Sequence, residues 1–164
     1  MDKIVTIGVY GFDKTRFFQA LVDTRIDTFC DIRLRRGMRG SKYTFANSER
    51  LQDELRTLGI RYIHIKELAP SIAIRDKQKQ EDAKLGIAKR SREILGATFI
   101  QEYTAGCLSC FNSAQFSEMV GPHARNIALF CVEGHHDACH RSLVANHLGQ
   151  DLQLSIEHIR SPVV

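Results

Sequence analysis

Short apolar runs rich in β-branched residues recur along this chain, and each but the last is followed by a stretch with helical spacing. Residues 4–10, 26–32, 60–65 and 127–132 are the clearest runs, and residues 155–159 form a last one. Runs of this length read as strands, and the continuous ones as strands buried on both faces. Between them, Asp13 is a helix N-cap ahead of Phe17, Phe18, Leu21 and Val22, which fall on one helical face. Asn47 or Ser48 starts a second helix through Leu51, Leu55 and Leu58, and Gly59 ends it. Helical composition also covers residues 76–95, continues to Tyr103, and returns over residues 113–120 and 142–148. Strands alternating with helices predict an α/β fold, a mainly parallel sheet with helices on both faces. No separating linker occurs, so residues 1–164 read as a single domain. The expected architecture is Rossmann-like without a dinucleotide fingerprint: Gly8 and Gly11 alone are too few glycines, and there is no Walker loop.

The chain's 164 residues, 43% of them hydrophobic, suffice for one real core. No eighteen-residue apolar run marks a membrane span. The first residues enter the strand pattern without a signal peptide's layout, and five scattered cysteines fit a reducing compartment. The expected location is therefore cytoplasmic. A net charge of +4 is too small to establish a nucleic-acid partner, so the distribution of charge matters more. No cofactor and no oligomeric state is specified.

In a parallel sheet, ligands bind beyond the carboxyl ends of the strands. Polar residues collect at those ends here: Tyr10 after the first strand, Asp31 and Arg33 after the second, Lys66 and Glu67 after the third. The fourth leads into Glu133 and then Cys139–His140–Arg141, a thiol, an imidazole and a guanidinium at the start of a helix. With Asp137 as N-cap, Cys139 and His140 take the second and third helical positions, where the helix dipole and Arg141 acidify the thiol. On this reading Cys139 is a nucleophilic or anion-contacting thiol, His140 an acid–base group, and Glu133 a general acid or base. The bland reading makes Cys139 a compact residue under the helix, with Glu133 in an ion pair to Arg141 or Arg33. Cys131, inside the strand, reads as core. Two expectations follow: Cys139 reaches a pocket with its sulfur while Cys131 does not, and Asp31, Arg33, Glu133 and Arg141 form one polar cluster.

Residues 33–43 carry five positive charges and no acid, with two glycines that let the backbone approach a ligand. Arg36 in this loop, with Tyr10, Asp31, Arg33 and Arg141, forms the candidate phosphate-binding set. The alternative is a solvated loop whose Arg33 pairs with Asp31. Tyr43 and Phe45 either stack on bases or anchor the loop to the core. The mixed-charge stretch 75–92 is an exposed helical face, or else it extends the basic surface. Cys107 and Cys110 have zinc-ligand spacing, and Cys131, His135, His136, Cys139 and His140 supply further donors. No second Cys-x-x-Cys occurs, so no metal ligands are assigned. The thiol loop also lacks the Cys-to-Arg spacing of a tyrosine-phosphatase cradle.

Thr6–Ile7–Gly8, Phe17, Cys30–Asp31–Ile32–Arg33, the run from Gly59 to His64, the run from Leu129 to Glu133, and Cys139–His140–Arg141 occur in that order. Together they resemble the domain-of-unknown-function 488 family. Many of its members carry His-Ser after the first-strand glycine, where this chain has Val9 and Tyr10, and the Cys107–Cys110 pair is not a family feature. The resemblance implies an intracellular α/β domain with Asp31, Arg33, Glu133, Cys139, His140 and Arg141 grouped together. Three functions remain open: an enzyme acting on a phosphate-bearing substrate such as a nucleotide or nucleic acid, a non-catalytic module binding nucleic acid or another anion, and a zinc-supported fold.

Overall fold

The computed structural model describes residues 1–162, so the last two residues of the single-domain reading lie outside the described residues. Five strands, β1 (Lys3–Gly8), β2 (Thr28–Asp31), β3 (Arg61–His64), β4 (Asn126–Cys131) and β5 (Ser155–His158), pair in parallel in the order β3-β2-β4-β1-β5. The α/β expectation holds, and all five strands point the same way.

Among the described residues six α-helices cover the sheet: α1 (Lys14–Asp23), α2 (Ser48–Thr57), α3 (Ile72–Lys84), α4 (Ala97–Gly106), α5 (Ser113–Val120) and α6 (His140–Leu152). Alternate residues of each central strand feed two cores. Phe17, Phe18 and Leu21 of α1 and Leu51 and Leu55 of α2 pack with Val5, Ile7, Phe29, Ala128 and Phe130. Phe99, Tyr103, Phe116, Val144, Ala145 and Leu148 of α4, α5 and α6 pack with Ile4, Cys30, Ile127 and Leu129 on the opposite face. The period-two alternation of strand side chains is what lets short, fully apolar strands serve both layers.

Most element boundaries fall where the sequence puts them. Asp13 caps α1 by accepting the Arg16 N–H at 2.8 Å, and Asn47 precedes α2. Two expectations need correction. Helix α3 stops at Lys84, and residues 85–96 form an irregular segment with one short turn of 3-10 helix, because Gly86 takes a positive φ of 66°. Helix α6 starts at His140, so Cys139, not Asp137, is its N-cap residue, and its side chain makes no capping bond.

The connectivity singles out one strand end. The chain leaves β1 and β2 for helices on the face that carries Phe130, but it leaves β4 for α6 on the other face. Strand β4 lies between β1 and β2, so the turn after Cys131 emerges where neighbouring connections part. That is where an open parallel sheet forms its crevice.

Candidate functional site

Strand β4 ends on Cys131, and Cys131 and Glu133 share the face opposite Phe130 because successive side chains alternate. The chain turns at Gly134 and re-enters as α6 with Cys139 and His140 on that same face. Cys131, Cys139 and His140 are all buried, and their Sγ, Sγ and Nδ1 atoms lie within 4.8 Å of one another. His140 Nδ1 is 3.7 Å from the Cys139 sulfur and 3.9 Å from that of Cys131. Its Nε2 sits 3.1 Å from the Ile32 carbonyl oxygen, which fixes Nε2 as the protonated nitrogen and aims Nδ1 at the two sulfurs. The Tyr103 ring packs edge-on against the imidazole at 5.5 Å.

The electrostatics of the pair are strongly shifted. Burial acts to raise the Cys139 thiol, but the Cys131 S–H, the Arg141 charge and His140 outweigh it and hold the thiol well below its ordinary value. Burial likewise acts to lower His140, and the sulfur of Cys139 prevails and raises it. Cys131 is pushed well up by its bond to Cys139 and by burial. The shifts run in opposite directions across the pair: Cys139 is made more acidic and His140 more basic, while Cys131 holds its proton more tightly.

Glu133 closes one side. Glu133 Oε2, 3.2 Å from the Cys131 sulfur, is a second acceptor competing for that thiol's single proton, while Oε1 faces Lys89 Nζ at 3.2 Å and Arg92 at 3.6 Å. Arg92 also pairs with Asp82 at 2.7 Å and donates to the Ala138 carbonyl at 3.0 Å, which ties residues 85–96 over the centre. Lys89 and Arg92 lie in the mixed-charge run, and nothing in their local spacing distinguishes them from solvated neighbours. Cys131 was legible in principle, since two-residue spacing from Glu133 puts both on one face of a strand.

Asp31 and Arg33 form a second centre on the other face. Arg33 is 3% exposed, bonds Asp31 through Nε at 2.8 Å and NH2 at 2.7 Å, gives NH1 to the Ala46 carbonyl at 3.0 Å, and lies over the Phe130 ring at 4.5 Å. The Tyr62 hydroxyl donates to Asp31 Oδ2 at 2.8 Å, and the Arg36 guanidinium lies beside that hydroxyl. The expected single cluster is thus two clusters, separated by the alternation of β2. They meet at one point: the carbonyl that His140 uses belongs to Ile32, the residue between Asp31 and Arg33.

Arg141 is fully buried, and its guanidinium donates to the Glu133 and Gly134 carbonyls at 2.6 and 3.0 Å. Its NH1 and NH2, like the Arg33 fork, are committed to the protein's own oxygens, while its buried Nε has no hydrogen-bond partner among the described residues; neither guanidinium opens to solvent for a phosphate contact as placed. Cys139 is 1% exposed, which corrects the expectation of a thiol open to a pocket. Tyr10 is half-buried at the rim, against Tyr43 and beneath Arg90 at 5.3 Å. Tyr43 and Phe45 are buried and anchor the basic loop. Cys107 and Cys110 belong to neither centre; the Cys107 thiol donates to the Glu67 carbonyl at 3.1 Å, and Cys110 is exposed.

No helix among the described residues is long and apolar enough to cross a membrane. No curated protein and no solved structure matches the chain. A family model described as "Domain of unknown function DUF488" matches residues 13–148, which takes in both clusters from Asp31 to Arg141. The match spans far more than half of the chain, and the motifs it covers are the ones that build the site: this chain belongs to the DUF488 family.

Proposed function

We propose that this protein is an enzyme acting on a phosphate-bearing substrate, a nucleotide or nucleic acid, at the carboxyl edge of its sheet. Glu133 and the Cys139–His140 pair supply the chemistry. The observation that carries this reading is the Lys89–Glu133 contact at 3.2 Å. Lys89 is about half exposed and Glu133 is buried, so the contact joins a solvent-facing cation directly to the buried centre. Arg90 lies beside it over Tyr10, and Arg35, Arg36 and Arg39 follow the exit of β2 on the same edge. With Arg33 and the NH1 and NH2 of Arg141 internally engaged, the exposed Lys89, Arg90, Arg35 and Arg39 and the half-buried Arg36 are the groups left to hold phosphate oxygens. An arriving phosphate would draw Lys89 away from Glu133 and leave Oε1 facing Arg92 alone, a less neutralised carboxylate better able to accept a proton. The five free cysteines suit a reducing cytoplasm.

Calorimetric titration with inorganic phosphate, nucleoside phosphates and oligonucleotides across salt tests the binding half. Binding should weaken with salt and in Lys89→Ala and Arg36→Ala, and no binding at low salt rejects the reading. A phosphate-ester hydrolysis and transfer screen tests the chemistry: Glu133→Gln should bind the anion and turn nothing over. The near-complete burial of Cys139 favours one second reading, a non-catalytic anion-binding module, for which binding without turnover in the wild type is the signature.

A further inference from the structure

Two thiols, an imidazole and a carboxylate buried together are an unusual interior. Apolar packing needs none of them, and an uncompensated buried charge is costly. We propose that Cys131, Cys139 and His140 are the three protein ligands of a Zn²⁺ ion, with a fourth coordination position beside Glu133.

The spacing fits the ion. Zinc holds sulfur at about 2.3 Å and nitrogen at about 2.0–2.1 Å, so two tetrahedral ligands of those types stand about 3.6 Å apart. The sulfurs here are 3.7 and 3.9 Å from His140 Nδ1, close to that separation with no rearrangement of the backbone. The histidine is also oriented as a ligand: Nε2 is engaged by the Ile32 carbonyl, the arrangement that fixes a metal-binding tautomer and leaves Nδ1 directed inward. Thiolate and imidazole together favour zinc over magnesium or calcium, which take oxygen ligands. On binding, the ion displaces the thiol protons of Cys131 and Cys139 and any proton on Nδ1 to solvent, leaving two Zn–S bonds and one Zn–N bond. Glu133 Oε2, 3.2 Å from the Cys131 sulfur, then lines the fourth position, where water or a substrate oxygen binds.

The ligand set differs from the one that sequence spacing suggests. The Cys107–Cys110 pair is elsewhere, and the other compact donor group, His135, His136 and Asp137, is half exposed and holds no thiol. The inference does not rest on the phosphate reading, and it revises one part of it: with zinc bound, Cys139 and His140 hold the ion and Glu133 is left as the acid–base group, while a binding module would hold the ion equally well.

The test is metal content of the whole protein by plasma mass spectrometry after zinc addition and desalting, with cobalt(II) substitution as the spectroscopic probe. One zinc per chain is expected, along with intense sulfur-to-cobalt charge-transfer absorption and a tetrahedral visible band. Cys131→Ser and Cys139→Ser should lose both signals, while His135→Ala and Cys110→Ser keep them. Should the serine variants fail to fold, wild-type alkylation decides: zinc should block Cys131 and Cys139, and a chelator should restore their labelling on unfolding to that of Cys30. Zinc at background, or a cobalt spectrum without sulfur charge transfer, overturns the proposal. Phosphate titration of the stripped and loaded protein keeps the two ideas apart. Anion binding without zinc sinks the metal site alone, and zinc without anion binding sinks the phosphate reading alone.

Discussion

Gly8, the last residue of β1, lies directly against the Glu133 carbonyl: a Cβ built on it would fall 1.8 Å from that oxygen and 3.0 Å from Arg141 NH1. The missing side chain lets the 133–134 turn lie down on the strand, where Arg141 donates to both of its carbonyls. The position of Glu133 therefore depends on a residue more than a hundred places away in sequence.

Gly8→Ala should lift that turn and strain the Arg141 bonds. A contact with backbone on one side and a buried guanidinium on the other leaves little room to relax, so a loss of about 1–3 kcal/mol is expected. Urea unfolding checks it through a lower midpoint at unchanged slope, and a midpoint equal to wild type would refute the packing argument.

Asp31→Asn should cost more. The substitution removes the charge opposite Arg33, leaving a buried guanidinium without its anion, which destabilises by about 3–5 kcal/mol. The double change Asp31→Asn with Arg33→Met removes the stranded charge and should recover a substantial part of the loss. A double variant no more stable than Asp31→Asn would show that the pair matters for something besides mutual compensation.

Much of this was legible in the chain, and the misses have physical causes. Strand runs, the Asp13 cap and the location of polar residues at strand ends follow from local periodicity, and the structure keeps them. The pairing of Arg33 with Asp31 was legible as the bland alternative, since a two-residue spacing on a strand puts both side chains on one face. What failed was grouping by edge alone. Asp31 and Glu133 leave the same edge of the sheet but opposite faces of it, and face depends on register between β2 and β4, which one sequence does not print. The surroundings of Cys139 were hidden for a similar reason: residues 85–96 reach its neighbours Glu133 and Ala138 through contacts that span more than forty positions.

Tyr62 should titrate late. Burial, then the neighbouring Asp31 charge, push its phenol up to about 12, against an ordinary value near 10. The neutral form is the one the folded state favours, so the unfolded chain releases this proton first as pH rises. The Tyr62 contribution is fully present below about pH 10 and is lost as pH climbs towards about 12. Ultraviolet titration of tyrosinate in wild type minus Tyr62→Phe isolates the group. A difference midpoint at the ordinary tyrosine value would contradict the buried bond to Asp31.

Arg92 ties residues 85–96 to α3 and to the loop before α6, and the prediction is that this segment covers Cys139. Its NH1 meets Asp82 at 2.7 Å and its NH2 the Ala138 carbonyl at 3.0 Å, while Asp82 is itself steadied by Gln78 at 2.8 Å. Arg92→Ala breaks the link between α3 and the loop before α6 without touching any of the sulfur or imidazole groups. Losing charge-assisted bonds of this kind costs about 1.5–3 kcal/mol, and that cost falls on local opening of residues 85–96 more than on the sheet. Opening of that segment should therefore become at least roughly tenfold more populated. Thiol labelling of metal-stripped protein reads this directly. Cys110, already exposed, should react at the same rate in both proteins, Cys30 should stay protected in both, and Cys139 should react markedly faster in the variant. An unchanged Cys139 rate would mean that the centre is reached by another route, and that residues 85–96 are not its cover.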